Sequence, residues 1–124
     1  MDTFSQTLDA FAKRLGLPSL APGASGAVEL DIERVGRLGI EQAGDWALVT
    51  LARLYPTHAE KAATTALGLC HWRQNHPWPV HAGAKGTEWL TFTAVVPLPE
   101  FDVPALEKIL PYLSNLLDAV ERAG

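Results

Sequence analysis

The first regular pattern in the chain is an apolar residue at every third or fourth position near the N-terminus. Phe4, Leu8, Phe11 and Leu15 fall on one helical face, which predicts a helix over residues 3–15. The glycine and the proline that follow within three residues are typical of a helix end.

The pattern then changes to strict alternation. Over residues 27–33, apolar side chains alternate with acidic ones, which predicts a strand with one buried and one solvated face. Segments 36–42 and 45–54 predict two more strands, and the third is apolar on both faces, as is typical of a central strand. The short connections favour an antiparallel meander. The acidic face is interpreted as solvated, with docking of a basic or extended partner segment as the alternative.

The middle of the chain is less regular. An alanine-rich segment, 59–70, predicts a second helix that packs closely against another backbone. Residues 71–87 contain two prolines, so any strand there is expected at a sheet edge. Residues 83–86 resemble a hairpin turn, and the branched and aromatic residues of 88–97 predict the next strand.

A leucine-rich stripe predicts a final helix from Val103 to Arg122, capped by Asp102. Pro111 lies inside it and is expected to kink or split the helix. The predicted order is helix, three strands, helix, two strands, helix. This order predicts an α+β fold, a twisted antiparallel sheet flanked by helices, as a single domain over residues 1–124.

Composition narrows the class of protein. The chain has 124 residues, 48% of them hydrophobic and 19% charged, as in an ordinary globular domain. The net charge is −4 and neither half of the chain is basic, so nucleic-acid binding is not expected. The sequence predicts no membrane insertion and no secretory signal. A single cysteine fits a reducing cytoplasm.

The best candidates for metal binding or catalysis are Cys70, His71, His76 and His81, which are of the types that bind zinc. No pair among them has the spacing of a common zinc motif. The sequence therefore predicts no metal, no cofactor, no catalytic residue and no enzyme. A small metal- or thiol-dependent enzyme that uses this cluster is the alternative.

The four tryptophans have different interpretations. Trp46 and Trp89 open predicted strands and are expected in the core. Trp72 and Trp78 lie in the proline-bearing stretch, where aromatic residues serve either an interface or local packing. The sequence leaves these two alternatives open.

The element order and several local segments together resemble one known family. The segments are Leu15-Gly16-Leu17-Pro18 at the close of the first helix, the alternating strand 28–33, the strand 46–54 and the leucine-rich helix 106–120. In this combination the chain resembles the class I type III secretion chaperones of the Tir-chaperone type. The resemblance covers the whole chain.

The resemblance implies a cofactor-free homodimer in the bacterial cytoplasm. Such a dimer binds the non-globular N-terminal segment of a secreted effector, keeps it soluble and export-competent, and catalyses nothing. A same-fold adaptor or regulator that binds a secretion-system protein is the alternative. Carried over to this chain, the dimer contacts fall on Leu67, Leu69, Trp72, Trp78 and Val80. The effector contacts fall on Phe4, Leu8, Phe11, Val28 and Leu30, or on exposed neighbours of the helix residues among them.

Overall fold

A five-stranded antiparallel sheet is the centre of the computed structural model, which describes residues 3–16, 27–54, 68, 77–85 and 88–123. The strand order is β1-β2-β3-β5-β4, so β2, β3 and β5 lie inside the sheet, and β1 and β4 form its edges. The strands are β1 (Ala27–Ile32), β2 (Gly36–Ala43), β3 (Trp46–Leu54), β4 (Val80–Lys85) and β5 (Trp89–Pro97). The predicted meander, the central third strand and the edge position of the proline-bearing segment are confirmed.

The tight turn between β1 and β2 requires glycine at position 36 for steric reasons. Arg34 has a φ of 68° and Gly36 a φ of 139°, a region that L side chains seldom adopt. A Cβ atom at position 36 would also lie 2.5 Å from the carbonyl oxygen of Ala52. Only glycine fits where β2 passes this close to β3.

Two helices flank the described sheet, α1 (Thr3–Arg14) and α2 (Val103–Ala123). Gly16 ends α1 with a φ of 78°, as expected for a left-handed residue after a helix. The Oδ1 atom of Asp102 accepts a hydrogen bond from the backbone N–H of Ala105 at 2.8 Å, so the predicted cap is confirmed. A short 3-10 turn, Leu98–Glu100, connects β5 to the segment before α2.

The hydrophobic core lies between these two helices and one face of the sheet. Alternation along each strand places every second side chain on this face, including the fully buried Val49 and Phe92. The ring of Phe4 on α1 stacks on Phe101 with centroids 5.2 Å apart. Thr7 Oγ1 donates a buried hydrogen bond to the Phe101 carbonyl oxygen at 3.3 Å, so α1 is fixed to the start of α2.

A nearly buried arginine joins the end of the sheet to α2. The Arg53 side chain is 12% exposed and its Nε donates to the Val35 carbonyl oxygen at 2.6 Å. Its Nη2 donates to Ser114 Oγ at 2.8 Å, and its Nη1 donates to Asp118 Oδ1 at 2.6 Å and to Glu121 Oε1 at 3.5 Å. This Arg53 clamp fixes the β1–β2 turn and α2 relative to each other.

The expectation that Trp46 and Trp89 belong to the core is wrong. Ala47 is the residue of β3 that begins the buried series, so Trp46 points to the opposite side of the sheet and is 47% exposed. Trp89 lies on that same side, half-buried. A large aromatic side chain favours burial, but alternation along the strand decides which face of the sheet the side chain occupies.

Three other expectations need correction. Gly83 does not begin a turn: it lies within β4 opposite Thr91, whose Oγ1 would come within 3.0 Å of a Cβ at position 83. Leu15 follows the end of α1 and is 41% exposed. At Pro111 a split is excluded, because α2 continues from Val103 to Ala123, and a kink stays a prediction. Both Pro111 and Glu107 lie on the exposed side of the helix. Solvent can therefore satisfy the carbonyl group that loses its partner.

Apart from Gly68, the predicted helix over residues 59–70 lies outside the described residues, as do residues 71–76.

We expect the Arg53 clamp to contribute measurably to stability. Arg53→Ala should lower the free energy of unfolding by about 2 kcal/mol, because charge-assisted hydrogen bonds from a nearly buried donor are lost. Denaturant unfolding followed by circular dichroism measures the change. The control is Lys108→Ala, an exposed cation on α2, which should change stability by less than about 0.5 kcal/mol. Equal effects of the two variants would contradict the role of the clamp.

Candidate protein-binding site

Both described helices cover the same face of the sheet, and the side chains of the opposite face form what we call the open face. Its centre is half-buried. Thr50 Oγ1 and Thr93 Oγ1 lie 2.8 Å apart there and share a hydrogen bond. Trp46 and Leu54, at the two ends of β3, are 47% and 53% exposed. The open face therefore combines a polar centre with apolar ends.

A cavity of about 230 Å³ lies on the open face above β1, β2 and β3. We call it the Gly39 groove, because Gly39 provides no side chain at its floor. The side chains that surround it are those of Ala27, Glu29, Arg37, Glu41, Leu48, Thr50, Ala52, Trp89 and Thr91. The floor is mostly apolar, Glu29 lies on the edge strand β1, and Glu41 lies on β2 between Ala27 and Leu48.

Arg37 closes one end of the groove. Its Nε donates to Asp31 Oδ1 at 2.8 Å, and its guanidinium carbon lies 4.7 Å from the ring centroid of Trp89. Arg37 stands opposite Ala52 in the β2–β3 register, and the small alanine leaves room for the guanidinium to reach the indole. A cation over an aromatic face is attracted by the ring quadrupole.

The interaction between Asp31 and Arg37 shifts the pKa of both groups. The hydrogen bond from Arg37 lowers the pKa of Asp31 below its ordinary value of 3.8, and the same bond raises the pKa of Arg37. Both groups therefore stay charged at neutral pH. Glu29 acts on Arg37 in the same direction, since its negative charge also raises the pKa of Arg37.

The edge strand β1 presents a second feature. Val28 is buried under the helices, whereas Leu30 and Ile32, farther along the strand, are only half-buried on the same side. An edge strand carries backbone N–H and C=O groups that point away from the sheet. This edge thus offers hydrogen-bonding groups beside partly covered apolar side chains.

The structure separates the sequence-predicted effector residues into two groups. Phe4, Leu8, Phe11 and Val28 are buried in the core. Leu30 is half-buried at the β1 edge. A partner that lies on α1 would meet the exposed positions beside the buried ones, such as Gln6, Ala10 and Lys13, and these belong to the neighbours that the sequence also allowed.

Of the predicted dimer residues, Trp78 and Val80 are described. Trp78 is half-buried and packs edge-on against Tyr112, with ring centroids 5.8 Å apart. Val80 is buried opposite Ala94. Leu67, Leu69 and Trp72 lie outside the described residues.

The candidate zinc cluster is only partly described. His81 lies exposed on β4, and Cys70, His71 and His76 fall outside the described residues. Within the described part of the chain, no three metal-binding side chains come together. No helix in that part is long and apolar enough to cross a membrane.

Sequence reasoning missed the arrangement of Arg37, Gly39 and Trp89. Alternation along β2 did place Arg37, Gly39 and Glu41 on one face. The contact with Trp89 depends on the registers of β2 with β3 and of β3 with β5, which bring three strands into line. No local pattern encodes those registers.

The family model for the Type III secretory system chaperone SycN matches residues 4–121 of the chain. No curated protein matches the chain in sequence.

Solved structures share the fold over almost its whole length. The HopA1–SchA chaperone–effector complex has a TM-score of 0.73 at 14% identity and covers 97% of this chain and 94% of that one. The ExsC–ExsE complex has a TM-score of 0.73 at 19% identity, with 98% and 96% covered. The Yersinia pestis type III secretion chaperone SycH in complex with a fragment of YscM2 has a TM-score of 0.70 at 12% identity, with 94% and 98% covered. At these identities the likeness establishes the fold.

The pKa of Asp31 tests the Asp31–Arg37 pair. Because the folded-state pKa is lowered, the pair should stabilise the fold above about pH 4, the ordinary range of an unfolded aspartate. The stabilisation should disappear as the pH falls through the folded-state pKa. An NMR titration of the Asp31 carboxyl carbon should give a pKa below 3.8, and Arg37→Gln should raise it. Arg34→Gln, in the neighbouring turn, should leave it where it is. A pKa that does not respond to Arg37→Gln would contradict the pair.

Proposed function

Because the chain belongs to the Type III secretory system chaperone SycN family, we propose that it binds the N-terminal non-globular segment of a secreted effector. Binding keeps that segment soluble and competent for export. The chain acts as a single domain in the bacterial cytoplasm, pairs with a second copy of itself and catalyses no reaction. Its fold is shared with chaperones whose solved structures hold a bound effector or protein fragment.

The β1 edge is the observation that supports this proposal best. An extended segment laid beside β1 gains main-chain hydrogen bonds by adding a strand to the sheet. Its alternate side chains then lie over Leu30 and Ile32, which the helices leave half-covered. The remaining alternate side chains face Glu29 and Asp31, both of which are exposed. The edge therefore favours a guest with apolar residues at every second position and no acidic residues between them.

Binding of a disordered segment needs more contact area than one added strand provides. An effector segment that is disordered when free loses conformational entropy on binding, and buried apolar area must offset that loss. The exposed neighbours of Phe4, Leu8 and Phe11 on α1 extend the contact beyond the β1 edge. A homodimer doubles the surface around which one segment can wrap. Its interface includes Trp78 and Val80, with Leu67, Leu69 and Trp72 as further predicted members.

The β1 edge can be tested with Leu30→Asp. A carboxylate there would repel an apolar guest side chain and would add to the acidic character of the edge. Affinity for effector segments should fall by tenfold or more, about 1.4 kcal/mol. The assay co-expresses the chain with N-terminal segments of secreted proteins from the same genome. It measures soluble complex by light scattering and affinity by calorimetry.

The matched control for Leu30→Asp is Leu116→Asp, which makes the same change at another half-buried leucine, on α2. It should lose similar stability and keep effector affinity. Circular dichroism confirms that both variants fold. Equal affinity of Leu30→Asp and the unmodified chain would refute docking at this edge. Failure of every secreted segment to bind the unmodified chain would refute the proposed function.

The dimer is tested by the mass of the purified chain. Light scattering at micromolar concentration should give twice the 13.4 kDa of one chain. Trp78→Ala should shift the equilibrium towards the monomer, because truncation of an interface tryptophan removes a large contact area. Trp46→Ala makes the same change at an exposed tryptophan and should leave the dimer intact. A purely monomeric unmodified chain would refute self-pairing.

A further inference from the structure

We propose that the backbone of Asp31 anchors the bound segment, and that the segment runs antiparallel to β1. The guest residue opposite Asp31 then exchanges two main-chain hydrogen bonds with it, so that guest residue must carry an N–H group and is never proline. The guest residues on either side of it lie over Leu30 and Ile32. This inference rests on the proposed function, because it concerns the segment that docks at the β1 edge. It adds the direction of that segment and the position at which it must donate a hydrogen bond.

Two observations show which backbone groups of β1 point towards β2. The carbonyl oxygen of Val28 would lie 3.9 Å from a Cβ atom at position 39 of β2. Neighbouring strands lie about 4.8 Å apart, so this oxygen faces β2, because a carbonyl that pointed the other way would lie farther off. The carbonyl oxygen of Ile32 accepts a hydrogen bond from the Val35 N–H at 3.1 Å, within the β1–β2 turn. Backbone direction alternates along a strand, so the N–H and C=O groups of Asp31 point away from β2.

Asp31 thus presents a donor and an acceptor at the edge of the sheet. Among the described strands, β1 pairs with β2 alone, so no described strand takes up these two groups. The Asp31 carboxylate is bonded to Arg37 at 2.8 Å on the open face, out of the plane of the sheet. The side chain of Asp31 therefore holds Arg37, while its backbone is directed towards a guest strand.

The apolar side chains beside Asp31 favour an antiparallel guest. Leu30 and Ile32 are half-buried, and their backbone groups face β2. In an antiparallel pair, guest residues opposite such positions form non-hydrogen-bonded pairs, in which the Cα atoms come within about 4.5 Å and the side chains lie closest. Every described ladder of the sheet is antiparallel, and purely antiparallel sheets occur more often than chance predicts. An antiparallel guest therefore gains the best apolar contact and continues the pattern of the sheet.

The direction of the guest decides which of its N–H groups bond to β1. In an antiparallel guest, the residue opposite Asp31 donates and accepts, whereas the residues over Leu30 and Ile32 point their N–H groups away from the sheet. In a parallel guest the bonds go instead to the two residues that flank the one opposite Asp31. A methyl group on one guest nitrogen therefore reports the direction.

The test uses a short peptide with blocked ends, made of serine, threonine, valine, threonine, valine, threonine and serine in that order. Two further versions carry one N-methyl group, either on the central threonine or on the second valine. In NMR titrations of the unmodified chain, methylation of the central threonine should weaken binding by about tenfold or more, because a hydrogen bond is lost. Methylation of the valine should change affinity by less than about twofold. Binding of the unmethylated peptide should slow hydrogen exchange at the Asp31 amide.

Proline at position 31 tests the same geometry from the side of the chain. Asp31→Pro removes the outward N–H and should fold, because proline is tolerated on an edge strand where its nitrogen faces solvent. Asp31→Ala is the reference, since it loses the same carboxylate and keeps the N–H. Asp31→Pro should bind the unmethylated peptide about tenfold more weakly than Asp31→Ala. Leu30→Pro, whose nitrogen faces β2, should lower the denaturation midpoint far more than Asp31→Pro does.

The outcomes separate this inference from the proposed function. Binding that is lost on methylation of the central threonine, and kept on methylation of the valine, supports the antiparallel anchor. The reverse pattern, equal effects of the two methyl groups, or no binding of the unmethylated peptide overturns it. Equal destabilisation by Leu30→Pro and Asp31→Pro also overturns it. If secreted segments bind Asp31→Pro as tightly as Asp31→Ala, the anchor fails and the proposed function stands, whereas their failure to bind the unmodified chain would refute the function itself.

Discussion

The packing of both described helices on one face of the sheet is the constraint on which the rest of the structure depends. Alternation along a strand sends half of its side chains to each face, so the buried series that includes Val49 and Phe92 commits the other half to the open face. Linear pairing of five strands also leaves two edges, β1 and β4. Within the described part of the chain, the open face and the two edge strands are thus direct consequences of how the core is built.

Such surfaces suit a protein that binds extended chains. An edge strand binds main chain without regard to sequence, and selectivity must come from the side chains on either side of it. Along β1, Leu30 and Ile32 lie on one side, and Glu29 and Asp31 on the other. The Arg53 clamp holds the adjoining β1–β2 turn against α2, so the edge is offered in a fixed position. A preorganised edge lowers the entropy that binding must overcome.

Much of the fold could be predicted from local patterns, because periodicity reports which side of an element is buried. The 3.6-residue period of α1 and the alternation of β1 are read within a few residues, and the cap at Asp102 needs only the sequence around it. Features that depend on strand register could not be predicted. Arg37 meets Trp89 only because two registers align three strands. The exposure of Trp46 follows from the parity of β3, which its composition does not reveal.

The acidic side chains of β1 bear both on self-association of the chain and on the kind of strand that could pair with this edge. An edge strand that no other described strand covers would invite strand-to-strand association of identical copies, and exposed apolar residues such as Trp46 and Leu54 would add to it. Acidic side chains along β1 oppose that association, because two such edges repel each other. A guest strand without acidic residues would avoid the repulsion that keeps a second β1 edge away. In the proposed complex, the carboxylates that oppose pairing of β1 with itself would thus also favour one kind of guest.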